Sequence, residues 1–249
     1  MALLAVEEVQ KSFQGFLALA GVSLKVSQGS FHALVGPNGA GKTTLFNVIT
    51  GRLTPDRGRV RFREQDITGW PTPKVARLGL AIAFQRAQPF ASMTVLEALT
   101  LARLGYTGQT FRLFRPLASF AQALDKAQEA LGKVGLEAQA RRPVGELPLG
   151  DLKRLDVAMA LVAEPQLLLL DEPLAGLSRA ERHRMVAFIN DLLRREGMTL
   201  LFTEHDTEAV LALADRITVL HQGRVLAEGT PEEIRGNAQV RAAFLGGGA

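Results

Sequence analysis

The clearest chemistry in this sequence belongs to a glycine-rich loop, Gly36-Pro37-Asn38-Gly39-Ala40-Gly41-Lys42-Thr43-Thr44. Apolar runs precede and follow it, so we predict a strand, a loop and a helix in that order. Backbone N–H groups of such a loop, together with the N-terminus of the helix, suit phosphate oxygens. Lys42 can reach the outer phosphates, and Thr43 can offer its hydroxyl to Mg²⁺. A glycine-rich turn that matches by chance would not explain the flanking elements, so we predict a nucleoside triphosphate site.

Two carboxylates, Asp171 and Glu172, end a second apolar run that begins at Leu167. Four consecutive leucines predict a buried strand, and parallel sheets place functional residues at the carboxyl ends of their strands. Asp171 would hold Mg²⁺ through water, and Glu172 would orient or deprotonate an attacking water. An apolar strand ending in two acids is common by itself. Beside a phosphate loop, the same pair predicts hydrolysis of the bound triphosphate.

The elements that must position these residues follow an alternating strand and helix pattern, interrupted once. Strands are predicted over 3–9, 22–26, 59–62, 80–84, 167–170, 199–203 and 216–220. A short helix is predicted after a Thr72 cap, with Pro73 at the first helical position. A long helix is predicted near 119–134. Capping boxes at Thr94, Ser178 and Thr230 predict three more helices, of which the one after Ser178 ends near Glu196.

Between about 91 and 149 the strand signals vanish, and Ala, Leu and Gln dominate. We therefore predict an α/β fold. It combines a P-loop NTPase core with a mainly parallel sheet, an N-terminal antiparallel β part and an inserted all-helical subdomain. The core would comprise 1–90 and 150–249 and the subdomain 91–149, within one domain overall.

The composition is that of a soluble globular protein, with 47% hydrophobic and 22% charged residues. The 249-residue sequence contains no Cys, which excludes disulfides and thiolate chemistry. We expect no signal peptide and no membrane span, and hence a cytoplasmic protein. The net charge of +4 comes from 29 basic and 25 acidic residues, an excess too small to indicate a partner.

These motifs, in this order, resemble the ATP-binding subunit of an ABC transporter over nearly the whole length. The resemblance implies that Phe13 stacks on adenine and that His205 contacts the γ-phosphate. It also implies that Gln85 senses Mg²⁺ and water and faces a membrane partner. By this resemblance, catalysis would depend on Glu172, His205, Gln85 and Lys42. Mg²⁺ would be held by Thr43, Gln85 and Asp171. ATP would be bound by Phe13 and by Gly36 to Thr44. The other histidines (His32, His183 and His221) are expected to be ordinary core or surface residues.

The family's signature motif, usually L-S-G-G-Q, matches poorly here. The corresponding residues are Leu147-Pro148-Leu149-Gly150-Asp151, of which only Leu147 and Gly150 agree. In the family this motif caps the triphosphate of the opposite subunit, which would make Leu149 and Gly150 contacts in trans. Pro148 lacks a hydroxyl and an N–H, and Asp151 adds a carboxylate, so we expect weaker closure of the pair. The alternative is that this stretch is merely the start of a helix.

The stretch Leu174–Ser178 resembles the family's D-loop, which runs across the subunit interface. Ser178 stands where most members carry Asp. Helix capping explains Ser178 equally well, so both interpretations stay open.

Within the family, the stretch 171–177 and the ending 228–246 resemble importers of branched-chain and other hydrophobic amino acids or amides. This implies ATP and Mg²⁺ as cofactors. The implied partners are a second ATP-binding subunit, an integral membrane permease and, indirectly, a solute-binding protein, with no nucleic acid. The chain would lie on the inner face of the cell membrane through the permease.

Three alternatives remain. The ending also resembles the ATPase that drives lipopolysaccharide extraction. ABC-type ATPases acting on nucleic acid or ribosomes form a second class, although the absence of Cys and the single phosphate loop disfavour it. A regulatory subunit that barely hydrolyses ATP is suggested by Pro148 and Asp151, whereas Glu172 and His205 argue against it.

Overall fold

The computed structural model describes residues 2–83, 91–108 and 119–245, and in these ranges it contains two β-sheets. The strands are β1 (Ala2–Phe13), β2 (Phe16–Ser27), β3 (Phe31–Val35), β4 (Arg57–Phe62), β5 (Gln65–Asp66), β6 (Leu80–Ala83), β7 (Leu167–Asp171), β8 (Thr199–Thr203), β9 (Arg216–His221) and β10 (Arg224–Gly229). The first sheet is antiparallel, in the order β2-β1-β4-β5. The second has the order β10-β9-β3-β8-β7-β6 and is parallel except for β10. The predicted fold class is confirmed.

Helices connect and cover the parallel strands. They are α1 (Lys42–Ile49), α2 (Thr72–Arg77), α3 (Val95–Thr107), α4 (Ala121–Val134), α5 (Leu149–Leu161), α6 (Arg179–Arg195), α7 (Thr207–Leu213), α8 (Pro231–Gly236) and α9 (Ala238–Leu245). The capping boxes predicted at Thr94, Ser178 and Thr230 are all present. In the described parts of the chain, no helix combines the length and the apolarity needed to cross a membrane.

The six-stranded sheet is buried on both faces, which explains the apolar character of its strands. Along β7, Leu168 and Leu170 belong to one hydrophobic core, which includes residues of α3 to α6. Leu167 and Leu169 belong to the other core, between this sheet, α1 and the antiparallel sheet. The observed pairing of β7 with β8 places Asp171 opposite Thr203 and so sets the position of the acids at the end of β7.

Three predictions need correction or limitation. The helix at Thr72 has Pro71 at its N-cap position and Pro73 inside its first turn, so Thr72 is not the cap. The first two strands are longer than predicted, and β10 was missed because its exposed arginine and glutamate weaken the apolar pattern. The strand predicted over 80–84 is described only for Leu80–Ala83, and Gln85 lies outside the described residues.

A fully buried histidine, His32, lies on β3, directly before the phosphate loop. Its Nε2 lies 2.8 Å from the Thr218 hydroxyl on β9. Burial lowers the pKa of His32 to about 4, an effect that Glu228 opposes and Arg216 reinforces. The imidazole is therefore neutral in the folded chain at neutral pH, and its role is structural, as the sequence suggested.

This histidine predicts a loss of stability in acid. Between pH 6.5 and 4 the imidazole of His32 binds a proton in the unfolded chain but not in the folded chain. The free energy of unfolding should therefore fall by up to about 3 kcal/mol as the pH drops through this range. Urea unfolding of wild type and His32→Gln across this range measures the effect, and the variant should lose that part of the pH dependence. His183→Gln, at an exposed position, is the control. Equal pH dependence in wild type and His32→Gln would contradict the assignment.

Candidate nucleotide site

The predicted site residues come from three neighbouring strands of the parallel sheet, in the order β3-β8-β7. The phosphate loop follows β3, Asp171 ends β7, and His205 follows β8. The strands run parallel, with Leu34 opposite Thr203 and Asp171 also opposite Thr203. The three chain segments therefore meet at one edge of the sheet, as the sequence predicted.

Two glycines of the phosphate loop are required by close backbone contacts. A Cβ on Gly36 would lie 2.3 Å from the carbonyl oxygen of Leu220 on β9. Gly41 has a φ of 107°, and a Cβ there would lie 2.7 Å from the Ala18 carbonyl oxygen on β2. The loop is also hydrogen bonded to the β9–β10 turn, where the Gly223 N–H donates to the Ala40 carbonyl at 3.0 Å. Both sheets therefore hold this loop in place.

Lys42 begins α1, and its side chain turns back into the loop, where the residue is only 7% exposed. Its ammonium donates to the carbonyl oxygens of Gly36 (2.7 Å) and Pro37 (3.1 Å). Burial lowers the pKa of Lys42, while the charges of Glu172 and Asp171 oppose that shift. Lys42 thus supplies a partly desolvated cation close to both acids, at the helix N-terminus that attracts anions.

Asp171 is oriented by a threonine that sequence reasoning missed. The Thr203 hydroxyl, at the end of β8, donates to Asp171 Oδ1 at 2.6 Å. The same hydroxyl accepts the Glu172 N–H at 3.1 Å. A single side chain from the neighbouring strand therefore fixes both the carboxylate and the backbone that follows it.

Glu172 and His205 form a pair at the sheet edge. The Nε2 of His205 lies 2.8 Å from Glu172 Oε1, and because a carboxylate only accepts, the imidazole is the donor. Glu172 has a φ of 48°, in the left-handed region that a residue with a Cβ adopts at a cost of about 1 kcal/mol or more. Backbone conformations of this kind are enriched at functional sites, although other residues of this chain outside the site, such as Glu164, also have a positive φ.

Sequence reasoning also missed Glu204, which is only 6% exposed. Its carboxylate links the chain segment after β7 to the segment after β8 through hydrogen bonds. Its Oε1 accepts the Leu174 N–H at 2.9 Å, in the loop after β7. Its Oε2 accepts the N–H groups of His205 at 2.9 Å and Asp206 at 3.4 Å. The buried carboxylate thus joins the segment that carries Glu172 to the segment that carries His205. An acid directly after an apolar strand was the available signal.

Among the described residues, Phe13 and Leu149 are the predicted site residues with exposed apolar side chains. Phe13 is 41% exposed at the end of β1, with the Lys11 ammonium 5.8 Å from its ring centroid. Leu149 begins α5 and is 43% exposed, whereas Pro148 occupies the N-cap position. Gln85 is not among the described residues, so its place relative to this cluster stays a prediction.

The donor set suits magnesium. Asp171 and the hydroxyl of Thr43 are hard oxygen ligands, which Mg²⁺ prefers together with water and phosphate oxygens. Over the described ranges no group of three or more His, Cys, Asp or Glu side chains could hold a metal by itself.

The geometry and the comparisons agree on the class of protein. The model of the ABC transporter family matches residues 19–175, and the chain belongs to this family of ATP-binding proteins. A second family model, described as a branched-chain amino acid ATP-binding cassette transporter, matches residues 224–249.

The chain is similar over nearly its whole length to transport ATP-binding proteins and to a solved ATP-binding cassette. The high-affinity branched-chain amino acid transport ATP-binding protein LivG of Salmonella typhimurium is 41% identical over 249 residues, covering 98% of each chain. The corresponding protein BraF of Pseudomonas aeruginosa is 39% identical with the same coverage. A nucleotide-free ATP-binding cassette of an ABC transporter superimposes with a TM-score of 0.89 at 33% identity, covering 98% of this chain and 99% of that one.

Proposed function

We propose that this chain hydrolyses ATP, with Mg²⁺, to drive an importer of branched-chain or other hydrophobic amino acids. The observation that carries the hydrolysis is the Glu172–His205 pair at 2.8 Å, beside the phosphate loop and its buried Lys42. The similarity to LivG and BraF over 98% of the chain supports the solute class. The match of residues 224–249 favours this branch over lipopolysaccharide extraction.

Each site residue has a defined task in this proposal. Gly36 to Thr44 cradle the phosphates with backbone N–H groups, and Lys42 neutralises their charge. Mg²⁺, when bound, supplies further neutralisation of the outer phosphates, held by Thr43, Asp171 and Gln85. Phe13 offers an exposed aromatic face to the adenine.

The hydrolytic step depends on one carboxylate. Glu172 accepts a hydrogen bond or a proton from the attacking water, and His205 keeps the carboxylate oriented through Nε2. Charge stabilisation and positioning supply most of the catalysis in phosphoryl transfer, so the residues that fix these two side chains should also affect the rate.

The complete site requires a second ATP-binding subunit in this proposal. Leu149 and Gly150, at the exposed start of α5, would contact the triphosphate bound by the partner, and Leu174–Ser178 would run along the interface. Gln85 and the helices of 91–149 would face an integral permease and would place the chain on the inner face of the membrane. The residues 1–90 and 150–249 would then form the ATP-binding core.

Reconstitution tests the proposal. The chain is combined with the permease and the solute-binding protein of a branched-chain amino acid importer, and phosphate release and leucine uptake into vesicles are measured. We expect leucine-loaded binding protein to raise ATP hydrolysis several-fold and to drive uptake, and Lys42→Ala to abolish both. Stimulation by nucleic acid or lipopolysaccharide in place of leucine would overturn the solute assignment.

A further inference from the structure

A cavity of about 500 Å³ lies between the phosphate loop, the segment that carries His205, and the helices α7, α8 and α9. This volume falls within the range of about 300 to 1,000 Å³ that is usual for small-molecule sites. The nucleotide chemistry assigned above uses none of the residues that α8 and α9 contribute to it. We propose that this cavity binds a small zwitterion with an apolar side chain, namely an amino acid of the class that the transporter imports.

The apolar part of the ligand has a matching surface. Side chains of Val210, Ile217, Ile234 and Val240 line the cavity, and all four are buried. They come from α7, β9, α8 and α9, so the surface exists only because the C-terminal helices pack over the sheet. A branched aliphatic side chain gains free energy by leaving water for such a surface.

The charged groups of the ligand also have partners. Arg235 on α8 and Arg241 on α9 line the cavity and are exposed, and among the described residues neither forms an ion pair. Guanidinium groups bind carboxylates through paired hydrogen bonds. Glu204 also lines the cavity, and its carboxylate oxygens have lone pairs beyond those used by the three N–H groups of Leu174, His205 and Asp206. An α-ammonium fits there.

Because the cavity adjoins the nucleotide site, a ligand bound in it would affect ATP hydrolysis. Its walls include Gly36 to Asn38 of the phosphate loop together with Glu204 and His205. A ligand held between these segments and α8 restrains the movement of His205 relative to the bound phosphates. Accumulated amino acid would therefore slow the ATPase that imports it. This regulatory role rests on the proposed transport function, whereas the binding itself does not.

Binding to the purified full chain, without permease, tests the site by calorimetry. L-leucine should bind at least tenfold more tightly than isocaproate, which lacks the ammonium, 3-methylbutylamine, which lacks the carboxylate, and L-alanine, which lacks the branched side chain. Arg235→Ala with Arg241→Ala should weaken leucine binding at least tenfold, and Ile234→Trp should block it by filling the cavity. Arg224→Ala, an exposed arginine on β10 away from the cavity, is the matched control.

The experiment has four informative outcomes. Leucine should inhibit ATP hydrolysis by the wild-type chain, and the double arginine variant should keep its basal rate but lose this inhibition. No leucine binding, or equal binding of leucine and alanine, would overturn the proposal. A double variant that binds leucine normally but self-associates less would assign the cavity to a second copy of the chain. Leucine binding without leucine transport in the reconstituted system would count against the proposed function and not against this site.

Discussion

Replacing Glu172 with Gln should reduce ATP hydrolysis by a factor of about 100 to 10,000 while leaving ATP binding intact. The amide keeps the shape of the side chain and can still accept the 2.8 Å hydrogen bond from His205 Nε2. It cannot accept a proton from the attacking water. The bound triphosphate should therefore persist, and the ATP-bound pair of subunits should accumulate.

Single-turnover phosphate release measures the loss of hydrolysis, and sedimentation in the presence of ATP and Mg²⁺ measures the pairing. Glu208→Gln is the matched control, because Glu208 lies on α7, is exposed, and contacts Arg179 at 3.5 Å. This control should behave like wild type in both assays. A Glu172→Gln chain that turns over ATP at the wild-type rate would remove Glu172 from the catalytic set.

Replacing Glu204 with Ala should lower stability by about 3 kcal/mol and should also reduce the rate of hydrolysis. The change leaves the N–H groups of Leu174, His205 and Asp206 without their carboxylate acceptor in a largely buried place. Each such group costs about 1 to 3 kcal/mol when it is both buried and unsatisfied, and partial hydration lowers the sum. The two segments that Glu204 joins would then move independently, which misplaces His205 against Glu172.

Glu204→Gln removes the negative charge but keeps the shape of the side chain. Its amide oxygen can still accept hydrogen bonds at the position of one of the two carboxylate oxygens. We expect it to lose about 1 kcal/mol and to keep most of the activity. Glu208→Ala, four residues along the chain and exposed, should change stability by less than about 0.5 kcal/mol. Urea unfolding and steady-state kinetics measure both effects, with the loss expected in kcat more than in KM. Equal stability of Glu204→Ala and wild type would show that water replaces the carboxylate at no cost.

The parts of the site that sequence reasoning predicted are those with local patterns. The phosphate loop, the acids after β7 and the histidine after β8 each follow an apolar strand, and parallel pairing brings strand ends together. Three helix starts were predicted for the same reason, since a capping box spans only four residues.

The residues that were missed act across long distances in sequence. Glu204 meets Leu174 thirty residues away, and Thr203 meets Asp171 across 32 residues. No local pattern encodes such a partner, because it depends on the register between β7 and β8. The role of Gly36 is similar, since the carbonyl of Leu220 that excludes a Cβ belongs to a strand much later in the chain.

The place of β3 in the middle of its sheet sets the order in which this protein can be assembled. Its two neighbours, β8 and β9, lie more than 160 residues after it in the sequence. Because translation starts at the N-terminus, β3 has no strand partner on either edge until most of the chain has been synthesised. Contacts this distant in sequence form slowly and leave strand edges exposed to other chains. The phosphate loop is synthesised early, whereas the Gly223 N–H that donates to its Ala40 carbonyl belongs to a much later part of the chain. A nascent chain that ends before Gly223 therefore lacks one of the backbone contacts that hold the phosphate loop.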